Sequence, residues 1–143
     1  MTNPPGGFLL VRVDGRRLGL QLGQVLQVVQ LGDVHPVPVT DTAVRGLVSV
    51  HGRTLPLVHL GALLEGKGCP AGVGGMGVVV TMGGRRLCLE VDDAEVLVRE
   101  PVLPVPPGEA LPWAVGVARY AEGLVPLLDL PALSSRLTEA AAT

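Results

Sequence analysis

Short aliphatic runs broken by glycine, proline and charged residues follow one another along the chain. That is the pattern of many short elements joined by turns rather than of long helices. Leu9–Val13 and Arg16–Leu22 flank Asp14-Gly15, a dipeptide suited to a tight hairpin because glycine takes positive φ freely. Val78–Met82 and Arg85–Val91 flank Gly83-Gly84 in the same way, and Val44–Val50 and Arg53–His59 flank His51-Gly52. A fourth hairpin is predicted from Ala114–Tyr120 and Gly123–Asp129 around Ala121-Glu122, with further short strands at Val25–Leu31 and Val96–Arg99. Arg16-Arg17 and Arg85-Arg86 open the return strands with charge, which keeps the rim of a sheet soluble. Pro36, Pro38, Pro101, Pro104, Pro106 and Pro107 predict extended connections that cannot join a central ladder. Only the tail, Pro131–Ala142, reads as helix, with proline in its first turn.

These elements recur. Residues 9–22, LLVRVDGRRLGLQL, align with 78–91, VVVTMGGRRLCLEV, at an offset of 69. Val34-His35-Pro36-Val37-Pro38 matches Val102-Leu103-Pro104-Val105-Pro106 at an offset of 68. Residues 46–63 match 116–133 at an offset of 70. Three matches in the same order at a nearly constant offset define an internal duplication. The predicted architecture is mostly β: two small five-stranded barrels and a short C-terminal helix. The first unit covers 8–65, a glycine-rich linker 66–77 and the second unit 78–133, with the helix over 131–142 and elements free to exchange between barrels. One such unit alone would have a marginal core. Packing two together buries their strands on both faces, which accounts for the near-continuous runs LLVRV and GVVVTM.

Composition narrows the function. Leucine and valine supply 24 residues each, isoleucine none, and Phe8, Trp113 and Tyr120 are the only aromatics. The net charge of −2 leaves no basic surface for a duplex, and three aromatics make no base-stacking platform, so no nucleic-acid partner is expected. Cys69 and Cys88 are too few for a disulfide framework or a structural zinc site. The N-terminus lacks a basic n-region and its apolar run breaks at Arg12. No run approaches the ~18 apolar residues of a membrane helix. The expectation is a cytoplasmic protein without direct membrane insertion.

Catalytic signals are thin. Gly72–Gly77 spells G-x-G-x-x-G but precedes a strand instead of following one, so it reads as linker rather than as a nucleotide site. Ser49 lies in a strand pattern without a nucleophile elbow. His51 and His59 stand at the tip and far end of one hairpin, poor geometry for zinc; with His35 they read as surface histidines. Asp92, Asp93 and Glu95 read as an acidic turn on the solvent face. Gly52 reads as a turn glycine and Pro56 as an edge-strand proline.

The order of elements is informative: a hairpin around x-G-R-R-L, a V-P segment, then G-L-V-S-V-H-G-R-T-L-P-L-V-H-L, with a weaker second copy. Over roughly residues 8–133 it resembles CheW, the adaptor that couples bacterial chemoreceptors to their histidine kinase. The family signature runs approximately G-V-x-N-L-R-G-x-x-V-P-V-x-D-L. Gly46, Gly52, Pro56 and Leu60 stand at matching positions, and the second copy keeps Gly123, Pro126 and Asp129. Ser49 replaces the family's asparagine, His51 its arginine and His59 its aspartate, while Gln27 aligns with an acidic residue of the preceding strand.

The resemblance implies two SH3-like barrels with a groove between them. One barrel would dock on the regulatory domain of a CheA-like histidine kinase, and the groove would take the cytoplasmic tip of a methyl-accepting chemoreceptor. It implies no cofactor, metal or catalytic residue. The partner-binding residues it implies are Val25, Gln27 and Val28 on the third strand and Arg45, Gly46, Ser49, His51, Gly52, Arg53 and Pro56 at the signature hairpin. Val96, Val98 and Gly116 follow in the second unit. The output implied is flagellar, pilus-based or gliding motility. Two alternatives stand beside this reading: a small ligand-binding or enzymatic barrel using a His51/His59 face, and a degenerate paralogue that binds only kinase domains.

Overall fold

The computed structural model describes residues 7–36, 43–66, 68–70, 72, 75–108 and 112–141. Val37 and Pro38 of the V-P segment, and Val73 and Gly74 of the glycine motif, lie outside them. Eleven strands carry the fold: β1 (Phe8–Val13), β2 (Arg16–Gln21), β3 (Val25–Gln30), β4 (Val34–His35), β5 (Val44–Val50), β6 (Arg53–His59), β7 (Met76–Met82), β8 (Arg85–Val91), β9 (Asp93–Val98), β10 (Ala114–Tyr120) and β11 (Gly123–Leu128). Helix α1 (Leu60–Glu65) follows β6, and α2 (Leu130–Ala141) follows β11.

They form two sheets, ordered β10-β11-β2-β1-β9 and β3-β7-β8-β6-β5-β4. The order β10-β11-β2-β1-β9 maps strand for strand onto β5-β6-β8-β7-β3. Each sheet therefore takes its inner hairpin from the opposite half of the sequence: β1–β2 sits among second-half strands, and β7–β8 among first-half strands. The joints correspond as well. Leu57 pairs in parallel with Cys88, and Leu127 with Gly19. Even the irregularities recur, because the register of β3 on β7 skips Leu26 while that of β9 on β1 skips Glu95.

The exchange explains the continuous apolar runs. Leu9, Val11 and Val13 join Val78, Val80, Met82 and Leu89 in one core shared by both sheets. The alternate residues turn to local cores: Phe8 and Leu10 pack with Ala118, Val125 and Leu127, and Val79 packs with Val48, Leu55, Leu57 and Cys88. The two local cores are filled from opposite strands. A side chain at Gly19 would run into Leu127 and Phe8, while one at Gly77 would run into the Cys88 sulfur. Phe8 over Gly19 in one sheet thus has its counterpart in Cys88 over Gly77 in the other, with the larger residue of each pair on the opposite strand.

Several local expectations are corrected. Asp93 and Glu95 are not in a turn but in edge strand β9, paired with Arg12 (3.8 Å) and Arg17 (3.4 Å). Pro56 is on β6, which lies between β8 and β5 rather than at an edge. It is tolerated because the two-residue turn makes Val50·Arg53 and Val48·Leu55 the bonded pairs, so Pro56 opposes Leu47 at a site where its missing N–H faces away from β5. His59 is buried, not on the surface. It ends β6, and its Nδ1 accepts from the Ala62 N–H at 2.9 Å, capping α1, a helix that the sequence pattern does not reveal.

Candidate protein-docking site

The β5–β6 hairpin turns through His51 (φ 48°) and Gly52 (φ 78°), both left-handed, as a two-residue turn between twisted strands requires. That turn throws the His51 ring outward and back over the neighbouring edge strand β3. There the Gln27 side-chain nitrogen and His51 Nε2 are in hydrogen-bond contact. Behind them opens a cavity of about 340 Å³, lined by Leu26 and Gln27 from β3, Val50, His51, Arg53 and Leu55 from the hairpin, Val79 from β7 and Arg86 from β8. Its walls are aliphatic and its rim is cationic. No carboxylate lines it, and among the described residues neither Arg53 nor Arg86 has an ion-pair partner. Along β3, burial alternates so that Leu26 (50% exposed) and Val28 (39%) project into solvent.

Of the residues named from the sequence, Gln27, His51 and Arg53 therefore share one cavity, Gly52 shapes its turn, and Val28 extends its apolar margin. Leu26 and Arg86 belong to it but escape sequence reasoning, Arg86 because its place in the repeated G-R-R-L reads as a solubilising charge. Ser49 and Pro56 lie on the other face of the hairpin, since Val48, Val50, Leu55 and Leu57 face the local core. Val25 packs toward the shared core.

Arg45 and Gly46 are both engaged within the fold. Arg45 Nε donates to Glu90 Oε1 at 2.6 Å, with side-chain exposures of 12% and 2%, and its Nη1 donates to the Pro70 carbonyl at 2.9 Å. The pair locks β5, β8 and the segment between the halves. A Cβ on Gly46 would stand 2.5 Å from the His35 carbonyl oxygen, so the glycine admits β4 across β5; Gly116 admits Leu103 across β10 in the same manner. In the second half, Val96 is exposed on β9, while Val98 packs on the local core.

No thiol, hydroxyl or carboxylate side chain lines the cavity. Cys88 is buried behind it, and burial, then the Glu90 charge, pushes its thiol up to about 12, so it stays protonated. His51 and His59 share no face, since one is at an exposed tip and the other is a buried cap, so the common His51/His59 face of the ligand-binding or enzymatic alternative does not form. Among the described residues, no three His, Cys, Asp or Glu side chains gather as a metal site, and no helix is long and apolar enough to cross a membrane.

A duplicated β scaffold thus presents an exposed aliphatic edge beside a cationic cavity. Residues 7–138 match the model of the CheW-like domain, and the chain belongs to that family. Among solved structures, its fold is similar to that of the scaffolding protein TtCheW from Thermoanaerobacter tengcongensis, with a TM-score of 0.77 at 20% identity over 90% of this chain and 92% of that one. No curated protein matches the chain.

Proposed function

We propose that the chain is a non-catalytic adaptor of the cytoplasm, coupling a chemoreceptor to a CheA-type histidine kinase in a chemotaxis pathway or in the control of pilus-based or gliding motility. The observation that carries this reading is the hairpin end of the six-stranded sheet, where Gln27, His51 and Arg53 converge beside the exposed Leu26 and Val28. The first barrel uses this end against the kinase regulatory domain. Because that domain is built of related barrels, the contact is heterologous and propagates rather than closing as a dimer. Partner-exchanging interfaces of this kind are modest in area, and the expected affinity is micromolar.

The test is to mix the purified chain with the regulatory domain of a CheA-type kinase and a chemoreceptor signalling fragment from the same organism. A ternary complex is expected, with Val28→Asp weakening the kinase arm several-fold while the melting curve is unchanged. Failure to bind either protein at concentrations well above micromolar overturns the reading.

A further inference from the structure

The two hairpin ends of the molecule are equivalent by the duplication but opposite in charge balance. On the five-stranded sheet, Arg17 donates to Glu95 at 3.4 Å and lies over the Tyr120 ring, 5.6 Å from its centroid. Arg17 corresponds to Arg86, and Glu95, the residue skipped in the β9 register, corresponds to Leu26, the residue skipped in β3. The same bulge that hands a carboxylate to the arginine in one sheet hands it a leucine in the other. Arg86 is thus left beside Arg53 and His51 in a cavity whose remaining walls are Leu26, Val50, Leu55 and Val79.

We propose that this cavity seats a carboxylate supplied in trans: an aspartate or glutamate, flanked by aliphatic residues, on the docking edge of the partner protein. Two guanidinium groups with no acidic partner in the cavity recognise a carboxylate through charge-assisted hydrogen bonds. The aliphatic walls exclude water around the pair, and Leu26 and Val28 meet the flanking apolar residues. Gln27 suits this role because its amide satisfies the His51 ring without adding a charge that would compete for the arginines. A protein carboxylate fits better than a nucleic acid, because the chain as a whole carries a net charge of −2.

The inference rests on the adaptor reading, and its test separates the two. Binding of the kinase regulatory domain is measured for the native chain and for Arg86→Glu, Arg53→Glu, Arg86→Gln and Leu26→Glu. The last variant supplies the carboxylate in cis, as Glu95 does, and keeps both arginines. Each glutamate variant is expected to weaken binding by roughly tenfold, and Arg86→Gln by less, with unchanged melting curves. Native affinity should fall as salt rises. An aspartate- or glutamate-to-arginine variant of the regulatory domain should recover binding to Arg86→Glu. Tight binding by the native chain with no loss in any of the four variants overturns the carboxylate seat and leaves the adaptor reading standing. No binding by the native chain overturns both. Competition by inorganic phosphate beyond that of chloride at equal ionic strength assigns the cavity to phosphate and overturns the seat as well.

Discussion

The two hairpin ends teach what duplication leaves to each copy. At the β10–β11 end, a cavity of about 540 Å³ is lined by Arg16, Arg17, Trp113, Tyr120 and Glu122 among others, and both of its arginines are held internally, Arg16 by Glu65 at 3.3 Å and Arg17 by Glu95. At the β5–β6 end, the cavity is smaller, cationic and unpaired. The two ends share their strand order and the bulge, and they differ in the side chains those positions carry. One end satisfies itself, and the other is left to be satisfied by something else. The same asymmetry runs inside the fold, where Arg45 and Glu90 form a buried pair while the corresponding positions in the other half are Val115 and Gln21.

That internal difference gives the largest expected effect. Glu90→Ala leaves a guanidinium uncompensated in the interior and should cost about 3–5 kcal/mol in denaturant unfolding. Arg45→Val with Glu90→Gln, which transplants the other half's residues, should recover most of that loss, because a buried ion pair replaced as a unit by apolar and neutral groups is often nearly neutral. A double variant as unstable as Glu90→Ala would show that the halves do not share one packing plan.

Gly46→Ala and Gly116→Ala come next. Each places a methyl against a crossing carbonyl, and overpacking of this kind costs about 1–3 kcal/mol. Gly46→Ala should be the more damaging, because β4 pairs with β5 at two positions whereas Leu103 makes a single bridge to Val117. Thermal melts of the two variants side by side decide the order. The helix caps should then be matched: His59 caps α1 and Asp129 caps α2 through Oδ1 to the Ala132 N–H at 3.1 Å, so alanine at either position should cost about 1 kcal/mol.

Which parts of this comparison are legible in the sequence follows from the range of the forces involved. Hairpins announce themselves, because Asp14-Gly15, Gly83-Gly84 and His51-Gly52 are local turn chemistry, and nine of the eleven predicted strands and helices end within one residue of their observed bounds at both ends. The pairing of β2 with β11 and of β8 with β6 is not local, and only the repeat hints at it. Helix α1 is hidden because Leu60–Glu65 continues an aliphatic strand, and its cap is a histidine in place of the usual Asp, Asn, Ser or Thr. At the site, Gln27 and His51 are legible as a pair through the family signature. Leu26 and Arg86 are not, since what assigns them is a bulge and a cross-sheet approach that no spacing encodes.

The smallest effect on stability is expected from the pair that departs furthest from the family. Gln27 and His51 are in contact at an exposed tip, where charged pairs contribute only about 0–1 kcal/mol. Gln27→Glu should therefore leave the melting curve within that range. It should nevertheless change the histidine, because a carboxylate placed against the ring favours imidazolium, so the His51 ring protons should titrate at higher pH in the variant than in the native chain. A proton NMR titration of the two proteins reads this directly. The variant also places a carboxylate on the wall of the Arg53–Arg86 cavity and so brings this end closer to the self-satisfied one. Binding of the kinase regulatory domain should fall with it, and pairing Gln27→Glu with His51→Arg should give the new carboxylate a partner of its own and return the cavity arginines to the partner. Coincident titration curves would separate Gln27 from His51 in solution.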